Sequence, residues 1–316
     1  MNEQGLPKCS VIIPTLNEEQ NIERCLQSLI KQDYPRSKLE IIVVDNGSTD
    51  STRTIAKGLA DIVDTALDCN VGEVRNVGAK LSSGDILVCT DADCTFSEDW
   101  ISTGVALLKA HENSVFGGGL KGANDQNWVE RLWLLNPKGE TIQQKDLMGS
   151  CIFIKKADFR LLGGFPADIT SGEDTSLSTK AKNLGYKVIL ERKLSVCHLG
   201  TPKTLKDFTA RQAWHGENYI HSLSKSFQDK IFWLIIAYML SAIGVIVNIS
   251  TPAAFFFFAL NQICPITLTV KRLKRAKYLP RVIDIPYLLA LDNSYLIGRS
   301  LGLIRGIKLF YQSPQR

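Results

Sequence analysis

Asp91 and Asp93 close an apolar run, Ile86-Leu87-Val88-Cys89, that begins just after Gly84. Apolar β-type residues between a glycine and a polar exit predict a buried strand. Side chains two apart on an extended chain face the same way, so both aspartates are expected to address one point past the strand's carboxyl end. Open α/β sheets bind ligands at that edge. Two hard carboxylates aimed at one point suit Mg²⁺ or Mn²⁺. A solvated acidic turn is spelled the same way, so D-x-D alone does not decide between them.

Around this stretch the chain repeats strand–loop–helix units. Lys8–Ile13 is predicted as a first strand ended by Pro14. Asn17 is predicted to cap a helix with Glu18 and Glu19 in its first turn and Ile22, Leu26, Leu29 and Ile30 on one face. Leu39–Val44 is predicted as a second strand ending at Asp45. The polar loop Asn46–Asp50 and a helix through Ile55, Leu59 and Ile62 follow. Such units in series give an α/β fold, a mostly parallel sheet flanked by helices. Helices are predicted over Gly72–Leu81, Trp100–Ala110, Ala157–Leu162 and from Gly172 to near Gly185, with another around Trp128–Leu135. Strands are predicted over Ser114–Gly119, Gly149–Ile154 and Tyr186–Leu190. Strand ends of a parallel sheet share an edge, so Asp45, Asp91, Asp93 and the Glu173-Asp174 pair are expected to converge.

The polarity of the 316 residues is uneven. Residues 1–228 are predicted as an α/β domain and 229–316 as a membrane-associated helical region. Ile231–Asn248 carries no charge, and about 18 residues at 1.5 Å each match the hydrocarbon thickness of a bilayer. Ala253–Val270 is a second candidate span, interrupted by Asn261, Gln262 and Pro265. Lys225 and Lys230 precede the pair and the basic cluster 271–277 follows it. Both ends are therefore expected on the cytoplasmic side. Residues 282–304 carry Asp284, Asp292 and Arg299 and are expected to form an interfacial or bundle-packed helix. A soluble buried hairpin or an oligomer interface would have the same apolar composition over 231–270. The net charge of +5 forms no general basic surface, which argues against nucleic acid. The eight cysteines include no C-x-x-C pair, so neither a zinc nor a redox motif is indicated. Met1–Lys8 is polar and Pro14 stops the run Val11–Ile13, so no signal peptide is predicted.

Seven pieces in order carry a resemblance: S-V-I-I-P-T-L-N-E-E (10–19), I-V-V-D-N-G-S-T-D (42–50), G-E-V-R-N-V-G-A (72–79), D-A-D (91–93), L-G-G-F (162–165), G-E-D (172–174) and C-H (197–198). Over roughly residues 9–220 the chain resembles family 2 inverting glycosyltransferases of the GT-A fold, the membrane-associated kind of bacterial exopolysaccharide and glycan synthesis. The resemblance implies a hexosyl-transferring enzyme of polysaccharide biosynthesis. It would use a nucleotide-sugar donor, a divalent Mg²⁺ or Mn²⁺ ion, and a lipid-linked or glycan acceptor at the cell membrane, with the catalytic domain cytoplasmic.

It also implies roles. Pro14 and Glu18 would line the base and ribose pocket, and Asp45 would contact the base with Asp50 nearby. Arg75 and Asn76 would lie near the donor. Asp91 would touch the ribose or sugar, and Asp93 would ligate the metal, with His198 as an extra metal or phosphate contact. Asp174 would be the general base, with Glu173 beside it. Each has a bland alternative: Asp45 as a turn cap, Arg75 as a solvated helix charge, Asp174 as an acidic residue favoured by the helix dipole, His198 as a packed histidine. Arg211 and Trp214 are expected on the acceptor side, although Trp214 would equally serve as an interfacial anchor. The Q-x-x-R-W motif of processive synthases is absent, so transfer of single sugars is expected. Within enzymes the competing reading is a polyprenyl-phosphate glycosyltransferase. In another class it is a non-catalytic membrane scaffold, disfavoured because crowded carboxylates without a metal repel one another.

Overall fold

A computed structural model describes residues 5–123, 125–136, 142, 144–169, 172–217, 219–220 and 223–312. These fall into two compact units, one of 1–124 with 136–200 and one of 125–135 with 201–316.

In the first unit, among the described residues, seven strands form one sheet in the order β3-β2-β1-β4-β8-β6-β9. The strands are β1 (Cys9–Thr15), β2 (Leu39–Asp45), β3 (Ile62–Thr65), β4 (Ile86–Cys89), β6 (Ser114–Gly117), β8 (Ile152–Lys155) and β9 (Lys187–Leu190). Pairing is parallel except on both sides of β8. β1, β2 and β4 are apolar on both faces, as strands covered by helices on each side must be. Their alternate residues enter different cores. Val11, Ile13, Ile41, Val43, Ile86 and Val88 pack with Leu26, Leu29 and Trp100 of α1 (Ile22–Ile30) and α4 (Trp100–Ala110). Ile12, Leu87 and Cys89 face the other way, toward Phe159 of α6 (Lys156–Leu161) and Leu177 of α7 (Glu173–Asn183). Trp100 ties the first layer together: its ring stacks on Phe96 at 4.1 Å, meets Phe153 edge-on at 4.8 Å, and its indole N–H donates to the Leu194 carbonyl.

Several local expectations are corrected. Ile62 does not continue the helix α2 (Thr52–Leu59) but opens the edge strand β3. Asn17 does not cap a helix. It adopts φ +55°, which a short polar side chain tolerates, and its Oδ1 accepts from Thr49 N–H across the neighbouring loop. The helix starts later, at Ile22. Pro14 stays inside β1, opposite Val44. The ladder to β4 ends at Ile12, so the missing N–H interrupts no pair on that side. A small second sheet, β5 (Cys94–Thr95), β10 (Val196–His198) and β7 (Leu120–Lys121), was not predicted.

The second unit is helical: α5 (Trp128–Leu134), α8 (Leu205–Glu217), α9 (Leu223–Ser226), α10 (Lys230–Val247), α11 (Ala253–Ala276) and α12 (Ile285–Gln312). The C-terminal carbonyls of α5, on Leu132 and Trp133, accept from the Arg272 guanidinium, which also lies over the Trp133 ring and pairs with Asp292. Among the described residues, α10 and α11 are the two helices long and apolar enough to cross a membrane. They pack on each other, and the Asn261 amide donates to the Tyr238 carbonyl and Ser241 hydroxyl of the facing helix. Their other faces expose Leu240, Ile243, Ile246, Phe255, Phe256 and Ile263.

Candidate active site

The turn after β4 creates the acidic centre. Asp91 and Asp93 converge through this turn, closed by the Cys94 N–H on the Asp91 carbonyl, rather than through strand alternation, because β4 ends at Cys89. Chain then enters β5, which pairs antiparallel with β10 so that Cys94 stands opposite His198. This pairing brings His198 Nε2 to 3.3 Å from Asp93 Oδ2. Gly200 follows at once, and a side chain there would occupy the space of the Asp93 carboxylate. Asp91, Asp93, Cys94 and His198 each offer one ligand atom, all within 4.8 Å of one another.

The donor set fits a hard divalent ion. Burial, then the Asp93 and Asp91 charges, push the Cys94 thiol far up, and its sulfur lies toward Asp93 Oδ1. The two carboxylates and the imidazole of this set suit Mn²⁺ and, less closely, Mg²⁺.

A second group lies at the start of α7. Asp174 Oδ2 accepts from Gly149 N–H at 3.0 Å and Oδ1 from Thr175 N–H at 2.6 Å. Burial, then the neighbouring Glu173 charge, raise its pKa above the ordinary aspartate value; those two N–H groups and Arg75 oppose the shift without cancelling it. Glu173 is buried and bonded to Arg75, whose other terminal nitrogen holds Asp91.

The remaining sites sit as follows. Asp45 is buried in its own turn: Gly47 and Ser48 N–H donate to Oδ2, and the Ser48 and Thr15 hydroxyls to Oδ1. Glu18 Oε2 accepts from the Asn21 amide, and Glu18 N–H donates to Thr52. Pro14 is half-buried in β1. Asp50 accepts from Glu19 N–H and from Thr52, joining the two loops. Asn76 binds the backbone N–H and C=O of Phe165 with its amide. Arg211 and Trp214 belong to α8 in the second unit, where Trp214 is half exposed and packs on His215. Sequence reasoning missed the roles of Gly149 N–H and Gly200. Gly200 lies two residues after the C-H motif and Gly149 lies outside every motif, and neither carries a side chain to draw attention.

Residues 10–159 match the family described as glycosyl transferase family 2. Over 210 residues the chain is 30% identical to glycosyltransferase AglE of Haloferax volcanii, covering 62% of this chain and 68% of that protein. The chain belongs to glycosyl transferase family 2. A second member, poly(ribitol-phosphate) beta-N-acetylglucosaminyltransferase TarS of Staphylococcus aureus, is 28% identical over 189 residues, 55% of this chain. The chain spans only 32% of TarS. The fold of this family 2 glycosyltransferase is GT-A. The mannosyltransferase PcManGT of Pyrobaculum calidifontis, solved with GDP-Man and Mn²⁺, superposes with a TM-score of 0.60 at 22% identity, over 96% of this chain and 88% of that one.

Proposed function

We propose that the enzyme transfers single sugars from a nucleoside-diphosphate sugar to a lipid-linked or glycan acceptor, with inversion, at the cytoplasmic face of a membrane. The observation that carries this reading is the pairing of an acidic cluster after β4 with a carboxylate of raised proton affinity, Asp174, in one α/β unit. Similarity to proteins solved with GDP-Man or named for N-acetylglucosamine transfer supports the donor class.

In this reading Asp93 and His198, with Asp91, hold a divalent ion, Mn²⁺ in preference to Mg²⁺. Such an ion supplies Lewis-acid stabilisation of the departing diphosphate. Pro14, Glu18 and the turn organised by Asp45 line the base and ribose pocket. Asp174 takes the proton from the acceptor hydroxyl as it attacks. A base placed opposite the leaving group gives inversion, and its raised pKa brings it closer to the pKa at which proton transfer is efficient. Arg211 and Trp214 serve the acceptor. The exposed apolar faces of α10 and α11 enter the bilayer, and the exposed Lys271, Lys274, Arg275 and Lys277 meet anionic lipid.

The test is a panel of UDP-, GDP- and dTDP-sugars offered to detergent-purified protein with and without Mn²⁺. One donor should be hydrolysed slowly in a metal-dependent manner, and the sugar first released should have the opposite anomeric configuration. Retained configuration would refute the single-base mechanism, and no binding of any donor would refute the donor class.

A further inference from the structure

We infer that Arg75 is a positioning residue that locks Asp91 and Glu173 into one hydrogen-bonded unit and thereby fixes Asp174, and that Glu173 is its counter-ion and not a base. This rests on the reading of Asp174 as the base.

Arg75 lies on α3 (Val71–Leu81) and is 2% exposed. Its two terminal nitrogens diverge. NH1 donates to Glu173 Oε1 at 2.5 Å and NH2 to Asp91 Oδ1 at 2.6 Å. The fork thus spans two chain segments far apart in sequence, the turn after β4 and the start of α7. The two carboxylates differ in what remains available. The Asp91 side chain keeps 32% of its surface open, enough to serve the acidic cluster as well, whereas that of Glu173 keeps 8%. The Glu173 carboxylate is thus committed to a buried guanidinium and has little surface left for an acceptor hydroxyl to approach. Asp174, one residue on, accepts instead from two backbone N–H groups, Gly149 and Thr175.

The surroundings leave little room for a donor contact. The Gly149 α-carbon packs directly against the guanidinium, so that any side chain at 149 would overlap it, and the same Gly149 donates its N–H to Asp174. The ring of Phe165 lies 5.6 Å from the guanidinium carbon. Asn76 of α3 and the cap residue Asn70 hold Phe165 and Ala167, ahead of α7. Asn76 binds both backbone groups of Phe165, and the Asn70 amide donates to the Ala167 carbonyl. Asn70 also caps α3, in a reciprocal box with Glu73. One helix with its cap therefore holds Phe165, Ala167 and Glu173, and among the described residues Arg75 connects that grip to the acidic cluster through Asp91. Lysine cannot reproduce this, because a single ammonium lacks the planar fork that reaches two carboxylates at once.

The experiment measures kcat and donor KM with Mn²⁺, using whichever of the UDP-, GDP- and dTDP-sugars the wild type turns over, for wild type, Arg75→Lys, Glu173→Gln and the double variant. Binding of UDP and GDP is measured alongside. The expected result is a loss of about 100-fold in kcat for each single variant, the scale set by small misplacements of reacting groups, with donor KM and nucleotide binding unchanged in Glu173→Gln, whose contact lies away from the acidic cluster. The double variant should lose no more kcat than Arg75→Lys alone, because the Arg75–Glu173 contact that Glu173→Gln weakens is already gone there. A raised donor KM with kcat retained in Arg75→Lys would make Arg75 a donor ligand and overturn the proposal, as would additive losses. Should Arg75→Lys fail to fold, Glu173→Gln carries the test, and wild-type kcat in that variant overturns it. Asp174→Asn is assayed in parallel. Full kcat there refutes the base assignment itself, independently of the split between kcat and KM at Arg75.

Discussion

His198 Nε2 and Asp93 Oδ2 lie 3.3 Å apart, although 105 positions separate the two residues in the chain, because two short strands pair between them. Neither strand is long enough to be read as one from sequence. The pairing makes His198 part of the acidic cluster. His198→Ala should weaken Mn²⁺-dependent donor binding about 10-fold or more, the scale seen when groups that tune a metal site are removed. Mn²⁺ titration of nucleotide binding measures it, and an unchanged Mn²⁺ midpoint would leave His198 as a packing residue.

The pH profile should report Asp174. A base works deprotonated and is lost as pH falls through its pKa. With that pKa raised by burial and by Glu173, the acid limb of kcat/KM should lie above the ordinary aspartate range. For stability the sign is opposite. A carboxyl whose folded pKa is raised favours the fold below its unfolded pKa, and that contribution is lost as pH rises through the folded value. Asp174→Asn should therefore be at least as stable as wild type near neutral pH while losing about 100-fold or more in kcat. Thermal melting and turnover on the same preparation check both halves.

Glu40 shows the reverse case. Burial would raise its pKa, but the hydroxyls of Ser10 and Ser83, the Ser83 N–H and the Lys8 ammonium bring it down to about 2. The carboxylate thus joins β1, β2 and the segment before β4. Its contribution is present above the ordinary glutamate pKa and fades as pH falls toward about 2. Glu40→Gln keeps the shape but offers one acceptor where two were used. It should lose about 2 kcal/mol in denaturant unfolding at neutral pH, and the gap to wild type should close on acidification.

Much of the fold was legible because local and global signals agree. Ile86–Cys89, Trp100–Ala110 and the strands Lys8–Ile13 and Leu39–Val44 carry apolar periodicity that burial in a layered sheet demands, and the observed elements lie at or within a few residues of those positions. What failed was decided by distant partners. Ile62 follows a helical pattern but pairs with Ile42. Asn17 looks like a helix cap but is recruited by Thr49. β8 runs against its neighbours, a direction its composition does not encode. The candidate site divides likewise. The D-A-D and G-E-D motifs announce carboxylates at loop ends, but that Arg75 would be spent between Asp91 and Glu173 depends on a pairing 98 residues apart.

The apolar hairpin makes a separate prediction. With Leu240, Ile243, Phe255 and Phe256 exposed on α10 and α11, the expressed chain should remain with membranes through an alkaline carbonate wash. Recovery in the soluble fraction as a defined oligomer would instead make this face an interface between proteins.

The central claim is that donor binding and proton abstraction belong to different carboxylates of one unit. The direct test compares metal-dependent nucleotide-sugar binding and turnover in Asp93→Ala and Asp174→Asn. The account predicts that Asp93→Ala loses Mn²⁺-dependent binding, whereas Asp174→Asn binds donor as wild type does and fails to turn it over. Donor binding lost in Asp174→Asn, or kept with its full metal dependence in Asp93→Ala, would contradict it.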